Sequence, residues 1–470
     1  MLEEERDDNF GEMMDLIRRY EEAEEHNQPL LLEEEAYERI VEFYLENREY
    51  KRALHVAECA LEIYPYAVEL WIQKAAILTE QNKFDEALEL LKHAESLDRN
   101  EVPIYLLRAD IYLAQGKHSH ALEMVEDGLE IASDPEDQAD LLLERADVYE
   151  DMGLYLKVIE SLKEVLKLMP LNEEALSRIW FTAELTETFE DSRIFHQQHV
   201  DENPYSQLGW FNLGHAFLGL KRYDDAIEAL SYAIAIDENF EAAYVMMGDA
   251  YAEQLKHQEA LECFLDALKL AKPNKETFCK TGECYAQIGD YHKARIYFRK
   301  AIAIDPSYDD AFFLVGETYR AEENFEKAVQ AYSRAVKIAP DNLEYLNALG
   351  DAYIMNEQVE EAVRIFEQVI LLDQKIKQHY INLATAYYGM ENFSACMDTM
   401  REGIRQFPED ADLYYIQFVF YHQIKNRHEA MLSLERALLL DFSQHPIIFE
   451  MEPELLNDPT VTQIIEQYRS

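Results

Sequence analysis

A glycine recurs every 34 residues through the middle of this chain, and this period constrains the fold more than any other feature of the sequence. An aromatic residue follows each of these glycines after three positions, and an alanine follows after twelve. The five glycines are Gly214, Gly248, Gly282, Gly316 and Gly350. Because only 14 of the 470 residues are glycine, their alignment on one period indicates an array of repeated units. Such units stack in a line and share no common centre.

The 34-residue register can be extended in both directions, and it then predicts twelve units. Their first residues are Glu34, Val68, Val102, Ala139, Glu173, Gln207, Glu241, Lys275, Asp309, Leu343, Lys377 and Ala411. Only Glu136–Gln138 must be looped out to keep the register. Apolar residues at unit positions 4, 7, 8 and 11 form a stripe on a first helix, and those at 20, 24 and 27 form a stripe on a second. Each unit is therefore predicted to be two helices joined by a short polar turn.

Several correlated positions of these units form a family signature. Most units have a large or aromatic residue at position 4, Gly or Ala at 8, Tyr or Phe at 11, and Ala at 20 and 27. Trp210, Tyr244, Phe278 and Phe312 are successive residues at position 4. Over residues 34–444 the pattern resembles the tetratricopeptide repeat. The resemblance implies an all-α solenoid, a right-handed superhelix of about twelve antiparallel helix pairs, with the first helices lining a concave groove.

The register divides the chain into five predicted segments. Residues 1–33 form an acidic N-terminal segment with a capping helix. Residues 34–138 hold units 1 to 3 with the short insertion at 136–138, residues 139–206 hold units 4 and 5, and residues 207–444 hold units 6 to 12. Residues 445–470 are predicted to close the array with a second capping helix, because Asp458 and Pro459 are typical of a helix start.

The predicted N-terminal capping helix depends on one apolar stripe within an acidic segment. The stripe consists of Phe10, Met13, Met14 and Ile17, at i, i+3, i+4 and i+7. A disordered acidic tail is the alternative for this segment. A helix with one apolar face would cover the open end of the first unit, as the end of a repeat array requires.

The charge balance restricts the partners that this chain can bind. It has 94 acidic residues against 43 Lys plus Arg, which gives a formal net charge of −51. A field of that sign repels phosphate backbones and anionic lipid, so we expect neither nucleic acid nor a membrane as partner. Basic proteins or peptides would be attracted. The alternative is that the acidity only keeps an apolar-rich array in solution.

Little in the sequence indicates a cofactor or a secreted protein. The five cysteines are scattered and odd in number, which predicts free thiols in a reducing compartment. No secretory leader and no apolar run of membrane-spanning length is apparent, so a cytoplasmic location is expected. We expect no cofactor.

Catalysis is not expected, because no nucleotide-binding, zinc-protease or serine-hydrolase motif occurs and the non-repeat sequence is limited to caps. The unit at 173–206 is the exception to the regular pattern. His196 and His199 replace the usual aromatic and alanine of its second helix, and Trp180 replaces the small residue of the first. The two histidines have metal-ligand spacing, with Asp201 or Glu202 nearby. The alternative is a diverged unit in which the imidazoles pack against Trp180.

The predicted binding surface is the groove formed by unit positions 2, 5 or 6, 9 and 12 or 13 of the first helices. Position 9 is acidic in seven units, four of them consecutive, which predicts a ladder of carboxylates along one wall. Position 6 adds two amides that could bond an extended peptide backbone. The candidate residues are Asp110, Asp147, Asn212, Asp249, Glu283, Glu317, Asp351 and Asn382. The alternative is that these side chains are simply solvated.

The sequence therefore favours a non-catalytic scaffold that holds an extended, basic segment of a partner protein in an acidic groove. A structural module that self-assembles through its ends or outer faces is the alternative. Polar end caps argue against open stacking, so a monomer is favoured over an oligomer.

Overall fold

A computed structural model describes residues 2–26, 31–270, 272 and 274–469. All regular secondary structure of the described residues is helical. The chain divides into two compact units, the first ending at Ala243 and the second starting at Tyr244. This confirms the expected all-α class, built of antiparallel helix pairs.

The first compact unit contains an N-terminal helix followed by six helix pairs. The helices are α1 (Leu2–Glu25), α2 (Glu34–Glu46), α3 (Tyr50–Ile63), α4 (Val68–Glu80), α5 (Phe84–Leu97), α6 (Val102–Ala114), α7 (His118–Ile131), α8 (Pro135–Asp151), α9 (Tyr155–Leu168), α10 (Glu173–Leu185), α11 (Phe189–Glu202), α12 (Gln207–Gly219) and α13 (Tyr223–Ile236).

The second compact unit contains six further pairs and a C-terminal segment of short helices; its first helix begins just before the division. The helices are α14 (Glu241–Glu253), α15 (His257–Leu270), α16 (Lys275–Ile288), α17 (Tyr291–Ile304), α18 (Asp309–Ala321), α19 (Phe325–Ile338), α20 (Leu343–Met355), α21 (Val359–Leu372), α22 (Lys377–Gly389), α23 (Phe393–Gln406), α24 (Ala411–Gln423), α25 (Arg427–Leu440), α26 (Ile447–Met451) and α27 (Pro459–Gln467). Two 3₁₀ turns, Phe442–Gln444 and Pro453–Asn457, flank α26.

The first helix of a pair begins at the predicted unit start in every unit but the fourth. There, α8 begins at Pro135 instead of Ala139, and the Asp134 side chain accepts a hydrogen bond from the Glu136 amide. The expectation that Glu136–Gln138 are looped out is therefore wrong. Proline is favoured in the first turn of a helix and Asp134 supplies the cap, so the extra residues lengthen the helix at its start.

The glycines of the repeat allow the two helices of a pair to approach closely. A Cβ built on Gly248 would lie 2.6 Å from Cε1 of Phe264, and one built on Gly350 would lie 2.5 Å from Cε1 of Phe366. In both cases the ring comes from position 24 of the second helix. The period of 34 residues is thus the spacing of one packing contact, in which an aromatic ring fills the space left by a missing side chain.

A left-handed residue ends the first helix of all twelve described pairs. It stands at unit position 15, and only three of the twelve are glycine: Gly116, Gly153 and Gly289. The other nine are Arg48, Asn82, Glu187, Lys221, Leu255, Glu323, Glu357, Glu391 and Lys425, with φ between 54° and 64°. The next amide bonds back to the carbonyl five residues earlier, as between Lys83 and Leu78. This is the Schellman arrangement, in which a left-handed residue satisfies carbonyls at the helix end.

The N-terminal helix α1 packs on the first helix pair through part of its apolar face. Ile17 and Tyr20 of α1 are buried, and the Tyr20 ring lies 6.3 Å from that of Tyr37 in α2. Met14 is 42% exposed and so does not belong to the buried stripe, and the Phe10 side chain lies outside the described residues.

At the C-terminus, Asp458 accepts hydrogen bonds from the Thr460 and Val461 amides and caps α27, as the sequence predicts. Val461 and Ile465 are buried under this helix. The five cysteines are free, also as predicted, and four of them are buried. Among the helices in the described ranges, none combines the length and the apolar character that crossing a membrane requires.

Candidate functional site

The four consecutive ladder residues lie along one surface of the second compact unit. They occupy equivalent places on α14, α16, α18 and α20. Asp249, Glu283 and Glu317 line one open cavity of about 710 Å³. Glu317 and Asp351 line a neighbouring cavity of about 630 Å³. We call this surface, defined by the four carboxylates, the acidic groove.

Aromatic side chains lie at and beneath the floor of the acidic groove. Phe313 lines both cavities and is partly exposed. Phe264 and Phe298 adjoin the larger cavity but are buried, because they are the rings that pack against the repeat glycines. An apolar floor with a charged rim suits lysine and arginine, whose methylene stems pack on apolar surface while the charged ends stay at the rim.

Two of the four carboxylates are already neutralised within the protein. Lys280 of α16 places Nζ 2.7 Å from Oδ2 of Asp249. Glu317 accepts hydrogen bonds from the Arg320 guanidinium and from the Tyr332 hydroxyl. Burial opposes ionisation of Glu317, but these hydrogen bonds outweigh it and lower its pKa. A cationic ligand would have to displace Lys280 or Arg320 to pair with Asp249 or Glu317.

The carboxylates of Glu283 and Asp351 remain available to pair with a cationic ligand. Within the described part of the chain, neither side chain makes an ion pair or a side-chain hydrogen bond, and both residues are exposed. Burial raises the pKa of each carboxyl, and the nearby cation, Lys280 for Glu283 and Arg320 for Asp351, offsets only part of that rise. A cation from a ligand would favour the ionised form of both carboxyls.

The two predicted amides do not belong to this groove. Asn382 lies outside both cavities and accepts a hydrogen bond from Gln378 at 2.7 Å. Asn212, in the first compact unit, is 0% exposed, and its amide donates to the Leu176 carbonyl at 2.8 Å. The expectation that Asn212 binds a peptide backbone is therefore wrong, because a long-range contact between α12 and α10 already uses its donor.

The acids predicted in the first compact unit form a different arrangement. Asp147 pairs with Arg178 at 2.5 Å, and the same guanidinium reaches Glu150 and Glu174. Asp110 faces Glu144, a buried glutamate that sequence reasoning missed. Burial and the neighbouring Asp110 raise the pKa of Glu144 to about 8. The signal that could have identified Glu144 is a carboxylate at position 6, one helical turn from the usual acid at position 9.

The unit at 173–206 matches neither of its two expected arrangements, a metal site at His196 and His199 or imidazoles packed against Trp180. Trp180 contacts Phe211 and His215, with ring centroids 5.9 Å and 5.1 Å away. His196 and His199 instead pack against Phe195. The expectation that the imidazoles pack against Trp180 is therefore wrong, because α10 directs its large side chain towards α12.

The two histidines are also not placed as metal ligands. His196 is wholly buried, and His199 lies 3.3 Å from the Ser206 hydroxyl. Asp201 and Glu202 accept hydrogen bonds from Gln197 and Gln198. Across the residues that the structure describes, no three His, Cys, Asp or Glu side chains are grouped to hold a metal ion.

Family models match the chain at five places. Models described as tetratricopeptide repeat match residues 78–146, 208–240, 239–307 and 343–376, and one described as TPR repeat matches residues 316–357. No curated protein matches the chain.

Solved structures resemble the chain at low identity. The APC/C hetero-tetramer Cut9–Hcn1 is 15% identical over 81% of this chain and 96% of the other, with a TM-score of 0.39. The C-terminal part of a TPR repeat-containing protein from Cytophaga hutchinsonii is 19% identical over 49% and 95%, with a TM-score of 0.45. YrrB, described as a TPR protein with an unusual peptide-binding site, is 18% identical over 39% and 95%, with a TM-score of 0.34.

The family models agree with the helix pairs of the structure. Proteins of this family are typically non-catalytic scaffolds for protein–protein interaction. The chain belongs to the tetratricopeptide repeat family.

Proposed function

We propose that this protein is a non-catalytic scaffold that holds an extended, basic segment of a partner protein in the acidic groove. The observation that carries the proposal is the pair of available carboxylates, Glu283 and Asp351, in two neighbouring cavities that share the partly exposed ring of Phe313. The net charge of −51 would attract such a segment over long range.

The internal ion pairs make the groove selective for the spacing of charges. Arg320 lies on α18, between the helices that carry Glu283 and Asp351, whereas Lys280 lies on α16 and pairs with Asp249 of α14. Both would repel a cation placed against them. A partner with basic residues spaced to meet Glu283 and Asp351, and with neutral or acidic residues between, would fit best. Repulsion between like charges weakens a complex in which a basic side chain of the partner lies against Lys280 or Arg320. The groove would therefore bind a segment with separated basic residues more tightly than a uniformly basic one.

The experiment compares two double variants with the same change in net charge. Glu283→Gln with Asp351→Asn removes the available carboxylates, whereas Glu326→Gln with Glu360→Gln removes two exposed acids from the second helices α19 and α21. The probe is a fluorescent twelve-residue peptide of alternating lysine and serine, and binding is followed by anisotropy at several salt concentrations.

We expect the groove variant to bind about tenfold or more weakly and to show a flatter salt dependence, since two charge contacts are removed. The control variant should bind nearly as well as the wild-type protein. Equal weakening in both variants would show that only net charge attracts the peptide, and the groove assignment would then be wrong.

A further inference from the structure

The first compact unit contains a cleft with a buried hydroxyl group at its inner end. It has a volume of about 180 Å³ and lies between α9, α10 and α11. Ile159, Ile179 and Ala183 form buried apolar walls, and the 60% exposed Leu156 stands at the mouth. Ser192 of α11 lines the inner end.

Two of the helices that line the cleft, α10 and α11, belong to the unit at 173–206, which packs differently from its neighbours. In the other five pairs of this compact unit the two helices pack closely, whereas α10 contacts α9 and α12 far more than its own partner α11. Trp180 cannot occupy the place of a small residue between the paired helices, and it turns towards Phe211 and His215.

The inner end of the cleft contains a polar group that has no partner. Ser192 is only 5% exposed, and among the described residues its hydroxyl finds no hydrogen-bond partner. It does not bond back to the carbonyl one turn earlier, as serine in a helix often does. Nine of the other units have alanine at this position, as at Ala226 and Ala294. A buried hydroxyl without a partner destabilises the protein, unless a ligand bonds to it.

We infer that the cleft is a binding site for the phenol side chain of a tyrosine carried by a partner protein. A cavity of roughly 150 Å³ holds a benzene ring, so a cleft of about 180 Å³ admits a six-membered ring with one substituent. The apolar walls cover the faces of the ring. The tyrosine hydroxyl bonds to Ser192, which a phenylalanine or leucine side chain would leave unpaired.

The mouth of the cleft favours basic residues beside the tyrosine. Glu160 and Asp191 are both exposed there, and the opposing charge is Lys163, whose ammonium lies 5.1 Å from the Phe195 ring centroid. The inference does not depend on the acidic groove, which belongs to the other compact unit and shares none of these residues.

The test uses two matched peptides, Ac-Lys-Tyr-Lys-NH₂ and Ac-Lys-Phe-Lys-NH₂, with the full chain labelled at the isoleucine methyl groups. Binding is followed by the methyl NMR signals of Ile159 and Ile179. We expect saturable shifts of both signals and about fivefold tighter binding of the tyrosine peptide, the ratio that one hydrogen bond typically supplies. Ser192→Ala, which restores the residue found in most units, should fold normally and bind both peptides equally.

A second variant tests whether the peptides bind in the cleft or on another surface. Ala183→Leu fills the cleft and should abolish the shifts for both peptides, while the Ile40 methyl signal reports an intact fold. The inference is overturned if neither peptide moves Ile159 and Ile179, or if Ser192→Ala retains the preference for tyrosine. Binding of free p-cresol without binding of the tyrosine peptide would also overturn it, because a small phenol would then be the ligand.

Discussion

The ring of Phe298 occupies the space that a side chain at Gly282 would need, with Cε1 only 2.5 Å from the position of a Cβ. Replacing glycine by alanine within a helix normally stabilises it by ~0.5–1 kcal/mol. At Gly282 we expect the reverse, a loss of roughly 1–3 kcal/mol, because the ring must move. Thermal unfolding followed by circular dichroism measures the difference.

Gly389 provides the matched control for this prediction. A Cβ there would meet only Cγ1 of Val359, at 3.8 Å, which is ordinary van der Waals contact. Gly389→Ala should therefore be neutral or stabilising. If Gly282→Ala proves as stable as Gly389→Ala, the glycine period does not reflect a packing constraint.

The buried carboxyl of Glu144 should make stability fall as pH rises. Its pKa is raised to about 8 in the folded chain, by burial first and by Asp110 second. The contribution of Glu144 to the free energy of unfolding is fully present below the ordinary glutamate pKa. It is lost as the pH rises through 8, at about 1.4 kcal/mol per pH unit at most. Glu144→Gln should remove this part of the slope, which urea unfolding followed by tryptophan fluorescence can measure.

The tryptophans suit this measurement because Trp71, Trp180 and Trp210 all lie in the first compact unit. Glu130→Gln, at an exposed position of α7, serves as the control for the loss of one acid. A variant Glu144→Gln that keeps the wild-type slope between pH 5 and 8 would show that Glu144 is not the group responsible.

His196 should lower the stability of the first compact unit at acid pH. Burial, and then His199, Lys163 and His215, lower its pKa to about 3, so it is neutral in the folded protein. The unfolded chain takes up a proton below about pH 6.5, and stability is lost as the pH falls through that value towards 3. Other units carry phenylalanine here, and His196→Phe should flatten the acid limb of the same fluorescence measurement.

An unchanged acid limb in His196→Phe would show that His196 is not the group responsible. An acid limb as steep as that of the wild-type protein would assign the sensitivity to His199 or His215, whose pKa values burial also lowers.

The cap at Asp458 should hold the last helix in place. Its carboxylate accepts hydrogen bonds from two amides at the start of α27. Asp458→Ala should cost about 1 kcal/mol, confined to the end of the array, because stability in a repeat protein is a sum of neighbouring contacts. Hydrogen exchange should increase at the amides of Val461 and Ile465 and stay unchanged in α16. Faster exchange throughout the second compact unit would contradict this local role.

The sequence predicted the helix pairs because their packing repeats with the period of the residues that make it. Gly248 and Phe264 belong to one unit, so a pattern along the chain was enough to identify their contact. The same holds for the helix starts and for the cap at Asp458, which depend on neighbours a few residues away.

The charge pairs of the groove were predictable only in part, because one of them joins different units. Periodicity along the chain did not show that Lys280 of α16 would reach Asp249 of α14, whereas Arg320 and Glu317 are three residues apart on one helix. Asn212 was misassigned for a similar reason, since its partner is a carbonyl 36 residues earlier. The direction of Trp180 depends on which neighbour leaves room for it, and a periodic pattern carries no such information.

The left-handed turns have a consequence for how this protein could be stabilised. Nine side chains stand where the backbone favours glycine, each at a cost of ~1–2 kcal/mol, and Leu255 is among the least suited because it offers no polar side chain to bond locally. Each turn keeps this conformation because the paired helices impose it. Replacing any of these nine residues by glycine would therefore remove the backbone strain at that turn. Gly116, Gly153 and Gly289 show that glycine is compatible with the same turn in this protein. Apart from Glu323, which lines the smaller cavity of the acidic groove, none of the nine lines the groove or the cleft, so glycine at these positions could raise the melting temperature one turn at a time.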